Sequence, residues 1–163
     1  MIEKNRLTRK INIGSLVIGG DSPVAVQSMT ATQTQDLEVT ARQIEILEQA
    51  GADVIRIAVD NEADVKALKF LREKFPKPIF SVDLQENYKL APKVAPLVNK
   101  IRYNPGHLFH LEKNKSIREK VEFITTAAKK NNCAIRIGVN CGSIDPDYKE
   151  KYKYDLVEGM IRC

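Results

Sequence analysis

Five short apolar runs, each separated from the next by a helical pattern, constrain this chain more than any other feature. The runs are Val24–Met29, Asp53–Val59, Pro78–Asp83, Lys100–Asn104 and Ala134–Asn140. All are too short for core helices, and most are rich in β-branched residues, as buried strands are. Their starts lie about 22 to 34 residues apart, which is the rhythm of βα units building a parallel sheet.

The segments between the runs carry helix signals. Asp36 is a candidate N-cap for a helix whose inward face is Leu37, Ala41, Ile44 and Leu47, with Gly51 as its stop. Asn61 caps the next, with Val65, Leu68 and Phe75 inward and Pro76 ending it. Between Tyr88 and Val98, Pro92 and Pro96 allow only a turn or two at a time. Ile117, Val121, Ile124 and Ala128 mark the longest helix, which ends at Asn131 and Asn132. A sixth element begins at Asp145-Pro146-Asp147, and Ile161-Arg162-Cys163 reads as helix. Ahead of the first run, Lys10–Gly20 reads as two short strands around Gly14-Ser15, a hairpin.

Two architectures fit five βα units: an open doubly wound sheet, or part of a (β/α)₈ barrel, which needs about 250 residues in full. The polar residues within the strands favour the barrel. A tripeptide recurs as Ile55-Arg56-Ile57, Ile101-Arg102-Tyr103 and Ile135-Arg136-Ile137. Alternation sends the flanking residues to one face and the arginine to the other. With the apolar pair against the helices, Arg56, Arg102 and Arg136 point into the barrel at matched strand positions. Asp83, on the strand between the first two, is one carboxylate against three guanidiniums. An arginine in a barrel can be a structural ion pair. Three together call for an anionic ligand, because the planar fork suits phosphate oxygens.

Further polar groups lie at strand C-terminal ends, where barrel active sites collect: Gln27, Ser28 and Thr30, then Gln85, Asn104 and Asn140. His107 and His110 read as solvated loop residues, and Lys113–Lys120 as a wet helix start. Cys133, Cys141 and Cys163, spaced by 8 and 22, form no CxxC pair and lie far from both histidines. They read as buried or idle thiols in a reducing compartment, not as a metal site. The net charge of +5 suits an anionic ligand without requiring one. No apolar run reaches the roughly 18 residues of a membrane helix, so a cytoplasmic protein without a membrane partner is expected.

Pro23–Thr30 with Thr32, Thr34 and Asp36, then Gly51–Ile57, Ile101–Gly106 and Ile135–Ser143, resemble in order and spacing the strands of 4-hydroxy-3-methylbut-2-enyl diphosphate synthases. That family comprises iron–sulfur reductases of the non-mevalonate isoprenoid pathway. The resemblance implies residues 1–22 as a hairpin closing the barrel bottom, and residues 23–163 as part of the substrate-binding barrel. It implies a C-terminal [4Fe-4S] domain, with its ligands, outside this chain. Arg56, Arg102 and Arg136 would grip 2-C-methyl-D-erythritol 2,4-cyclodiphosphate. Asp83 would be an active-site acid and Asn140 a substrate contact; Asn104, from its place at a strand C-terminal end, is a further substrate-binding candidate. Ferredoxin or flavodoxin would supply electrons to a homodimer. This chain departs from the family at Gln85, where a histidine is usual, at His107, where asparagine is common, and at Pro92 and Pro96. The other readings are a pterin-binding barrel of the dihydropteroate synthase type and a basic RNA-binding module. The second is disfavoured because the notable arginines lie within apolar strands, whereas nucleic-acid binders spread them over an exposed face.

Overall fold

A computed structural model describes residues 8–144 and 146–162. The chain opens with an antiparallel hairpin, β1 (Ile11–Ile13) and β2 (Leu16–Ile18), turned by Gly14 at φ +59. There follow β3 (Gln27–Met29), α1 (Leu37–Gln49), β4 (Val54–Val59), α2 (Glu62–Lys74) and β5 (Phe80–Leu84). Next come α3 (Ala91–Val94), β6 (Lys100–Tyr103), α4 (Ile117–Lys130), β7 (Ala134–Ile137), α5 (Pro146–Lys151) and α6 (Leu156–Arg162). The start of the sixth element at Asp145, the N-terminal Met1–Leu7 and Cys163 fall outside the described residues.

Strands β3 to β7 form one parallel sheet in strict chain order. A doubly wound sheet reverses direction at a switch point. Here each strand adds on the same side of its predecessor, as in a (β/α)₈ barrel, and right-handed crossovers then put every helix on one face. Contacts accordingly run from α1 to α2, α2 to α3 and α3 to α4.

The helices end where the sequence says they should. Asp36 accepts from the Val39 amide at 3.3 Å. Asn61 and Asp64 form a reciprocal capping box on α2, and Ser116 and Glu119 another on α4. Gly51, at φ +79, turns the chain out of α1. Pro92 and Pro96 break the third helical segment into one short α turn flanked by 3₁₀ turns. Ile55, Ile57, Val59, Phe80, Val82, Leu84, Ile101 and Tyr103 face the helices and pack with Ile44, Leu68, Leu71 and Ile124. The alternate residues of each strand are left for the opposite face.

Three expectations need correction. The first strand is shorter than its apolar run, and Val24 is 93% exposed. The Val26 carbonyl does accept the Asp53 and Val54 amides, but β3 is an edge of the described sheet, so its outer flank is uncovered. At the other edge Ile137 is 61% exposed for the same reason. Lys120 is not part of a wet helix start. It is fully buried, and its Nζ donates to the Leu108 carbonyl at 2.7 Å.

At the N-terminal end of the sheet, Arg72 of α2 ties two loops together. Its guanidinium donates to the carbonyls of Leu97 (2.8 Å), Phe75 (3.1 Å), Pro76 (3.2 Å) and Pro78 (3.0 Å), and lies 4.1 Å from the Phe80 ring centre. Replacing Arg72 by Ala strands these acceptors and should cost about 2–4 kcal/mol in chemical denaturation. Arg118→Ala, which breaks only the exposed pair with Glu122, should cost less than about 0.5 kcal/mol.

Candidate functional site

The face of the sheet away from the helices is built from Gln27 and Met29 on β3, Val54, Arg56 and Ala58 on β4, and Ser81 and Asp83 on β5. Lys100 and Arg102 on β6 and Ala134 and Arg136 on β7 complete it. Strand register sorts these into rungs. Met29, Arg56, Ser81, Lys100 and Ala134 are paired in succession, as are Ala58, Asp83, Arg102 and Arg136 one step nearer the strand C-termini. The three arginines therefore share a face but not a position. Arg56 lies one rung below the other two, because strand alternation fixes the face and leaves the register open.

Asp83 joins the rungs. Its Oδ2 accepts from Arg56 Nη2 at 3.1 Å and its Oδ1 from Arg102 Nη1 at 2.9 Å. The carboxylate side chain is 8% exposed and the two arginine side chains 23% and 17%. Arg56 Nε further points at Met29 Sδ, 3.1 Å away. Arg136 is exposed and makes no hydrogen bond or ion pair with any described residue.

Lys100 is a fourth cation here, and the tripeptide pattern passed over it. It is buried, its Nζ donates to Gln27 Oε1, and burial together with Arg136 and Arg56 pulls its pKa below the ordinary lysine value. Its place two residues before Arg102 on one strand was the available signal. Beside it the buried Ser81 Oγ has no hydrogen-bond partner among the described residues. Four cationic heads thus share the face with Asp83, which is the one carboxylate on these strands among the described residues.

The two asparagines differ. Asn104 is fully buried. Its Nδ2 donates to Ser143 Oγ at 2.6 Å and its Oδ1 accepts from the Gly106 amide at 3.1 Å, so it joins the loops after β6 and β7. Asn140 is exposed, with Oδ1 accepting from the Gly142 amide at 3.0 Å. Gln85 is exposed just past the end of β5. His110 is half exposed, 3.9 Å from Glu86.

A clasp holds the loops after β5 and β6 together. Tyr88 Oη donates to Glu112, which also pairs with Lys89 at 3.1 Å and Lys115 at 3.3 Å. Glu112 takes the left-handed backbone, φ 52, to reach them. The bonds from Tyr88 and Lys89 hold its carboxyl at about 2, against an ordinary 4.5.

No three His, Cys, Asp or Glu side chains among the described residues stand together as a metal ion would need. Burial pushes the Cys133 thiol up to about 12, and Cys141 is exposed. These residues do not fit an iron–sulfur cluster. No helix among the described residues is long and apolar enough to cross a membrane.

Residues 8–163 match the family described as the GcpE TIM-barrel domain. A protein of Rhodopirellula baltica is 54% identical over 148 residues, covering 91% of this chain and 38% of the relative. One from Exiguobacterium sibiricum is 43% identical over 99% of this chain and 42% of its own length. One from Helicobacter pylori is 42% identical over 93% and 40%. All three carry the name 4-hydroxy-3-methylbut-2-en-1-yl diphosphate synthase (flavodoxin). The chain spans about two fifths of the length of these relatives.

Asp83→Asn leaves two partly buried guanidiniums facing each other without their carboxylate. It should lower stability by about 2 kcal/mol, below the figure for a fully buried pair because both arginines keep some solvent. Added pyrophosphate should restore more of the melting temperature in this variant than in the parent. The Glu112 clasp should be intact above pH 4.5 and open as pH falls toward 2, since a depressed carboxyl pKa stabilises only the ionised form. Protection of the amides of residues 108–116, taken relative to their intrinsic exchange rates, should fall over that window, and Glu112→Gln should remove this change in protection.

Proposed function

The chain belongs to the GcpE TIM-barrel family, and from that premise we propose that the sheet face away from its helices binds 2-C-methyl-D-erythritol 2,4-cyclodiphosphate. The host enzyme would be a 4-hydroxy-3-methylbut-2-enyl diphosphate synthase, which reduces that substrate by two electrons with loss of water. The observation that carries the reading is the excess of cationic heads over carboxylate on one sheet face. Such an excess within a folded strand layer is costly unless an anion offsets it.

Each residue has a distinct part. Arg136, exposed and without a partner among the described residues, is the first contact for a phosphate. Arg102 and Arg56 complete the cradle, with Asp83 fixing the planes of both guanidiniums before the ligand arrives. Preorganised donors of this kind stabilise charge that develops on a departing phosphate oxygen, because they need not reorient. Asp83 is also the active-site acid of the proposal. Asn140 offers its amide Nδ2 at the rim, and Asn104 positions the loops. Gln85, standing where the family has histidine, keeps hydrogen bonding there and loses a titrating proton carrier.

The hairpin would close the barrel bottom. Its support is the approach of Gly14 to Asn99 ahead of β6, and of β1 to β7. The [4Fe-4S] cluster and its ligands belong to the part of the enzyme outside this chain, in a cytoplasmic homodimer. The relatives' names favour flavodoxin as the electron donor.

In the full-length protein, Arg136→Ala should weaken binding of the cyclodiphosphate by about 1.5–3 kcal/mol, roughly 10- to 150-fold, with the unliganded melting temperature unchanged. Calorimetric titration measures the first and thermal shift the second. Stabilisation by a pterin or by single-stranded RNA, with none by the cyclodiphosphate, would overturn the assignment.

A further inference from the structure

Gly138 lies just past β7, two residues beyond Arg136 and two before Asn140. Its amide donates to the Tyr103 carbonyl at 2.9 Å, which extends the β6–β7 pairing. It has no left-handed backbone, so conformation does not demand a glycine there. Space does. A Cβ at Gly138 would stand 2.4 Å from Arg102 Nε, 2.7 Å from Nη2 and 2.9 Å from Cζ. All three atoms belong to one guanidinium plane.

The same guanidinium donates from Nη1 to Asp83 Oδ1 on the opposite side. Arg102 is therefore held between a carboxylate on β5 and the bare backbone after β7. The guanidinium spans the strand that carries it and lies over the route from Arg136 to Asn140. A methyl group at residue 138 could be accommodated only by lifting this group, because a guanidinium is rigid and its other edge is anchored.

We infer that Gly138 is a positioning residue for anion binding, whose missing side chain leaves the space that the Nε/Nη2 edge of the Arg102 guanidinium occupies between Asp83 and β7. The consequence for ligand binding rests on the reading of this face as a diphosphate site. The packing itself does not. Filling that space displaces the fork, and a fork displaced by about 1 Å loses its paired hydrogen bonds to phosphate while keeping its charge.

A double-mutant cycle in the full-length protein tests the inference. Gly138→Ala should raise the Kd for the cyclodiphosphate about 10-fold or more, in line with the loss of one charge-assisted hydrogen bond. In an Arg102→Ala background, the same change should alter Kd by less than about 2-fold, because there is no guanidinium left to displace. Equal losses in both backgrounds would overturn the inference, as would no loss in the parent. A ligand-free crystal structure of Gly138→Ala separates this idea from the functional reading. Arg102 Nη1 parted from Asp83 Oδ1 supports this packing even if no diphosphate binds, and an unmoved Arg102 sinks it. If Gly138→Ala does not fold, the double variant decides. Folding regained on removing Arg102 supports the clash, and failure of both variants refutes it.

Discussion

A carboxylate on the strand between two arginine-bearing strands organises this face. Asp83 bonds Arg56 with one oxygen and Arg102 with the other, bridging two rungs of a parallel sheet. Without it, two guanidiniums on nearby strands would repel each other and turn outward. With it, they are held side by side, yet the balance stays positive, because Arg136 and Lys100 add charge that no acid on these strands offsets. The result is a surface ordered by its own ion pairs and incomplete in charge. An anion-binding surface needs both properties: preorganised donors and a deficit that the ligand fills.

The fold supplies this arrangement through strand order. Because each strand pairs with its sequence neighbours, alternate residues of successive strands line up on one face, while Ile55, Val82 and Ile101 anchor the other face to the helices. The loops at the strand C-termini are fixed from within. Asn104 ties the loop after β6 to Ser143, Lys120 holds it from below through Leu108, and the Glu112 clasp joins it to the turn at Tyr88. These contacts use polar groups that would otherwise be free to meet a ligand. Asn104 is in that sense a scaffold residue, whereas Asn140 and Gln85 remain open at the rim.

The five strands, the capped helices and the inward face of the arginines were legible in the sequence, because each depends on local chemistry. Asp36, Asn61 and the two prolines act over a single turn, and alternation assigns a face from two neighbouring residues. What was not legible depends on partners distant in the chain. The rung of Arg56 is set by pairing register, which a period of two leaves undetermined. Lys120 is buried only because the loop carrying Leu108 folds over it, and nothing in a lysine-rich stretch announces that. The exposure of Val24 and Ile137 reflects uncovered sheet edges, a property of neighbours and not of the residues. Gly138 reads as one more small residue until Arg102 of the adjacent strand is seen lying on it.

A crystal structure of the full-length protein with 2-C-methyl-D-erythritol 2,4-cyclodiphosphate would show directly whether the sheet face away from the helices holds a diphosphate through its arginines. Phosphate oxygens are expected within hydrogen-bond distance of Arg136 and Arg102, with Asp83 still bonded to at least one arginine. A ligand bound elsewhere, with the Arg56–Asp83–Arg102 bridge closed and Arg136 left in solvent, would contradict that arrangement.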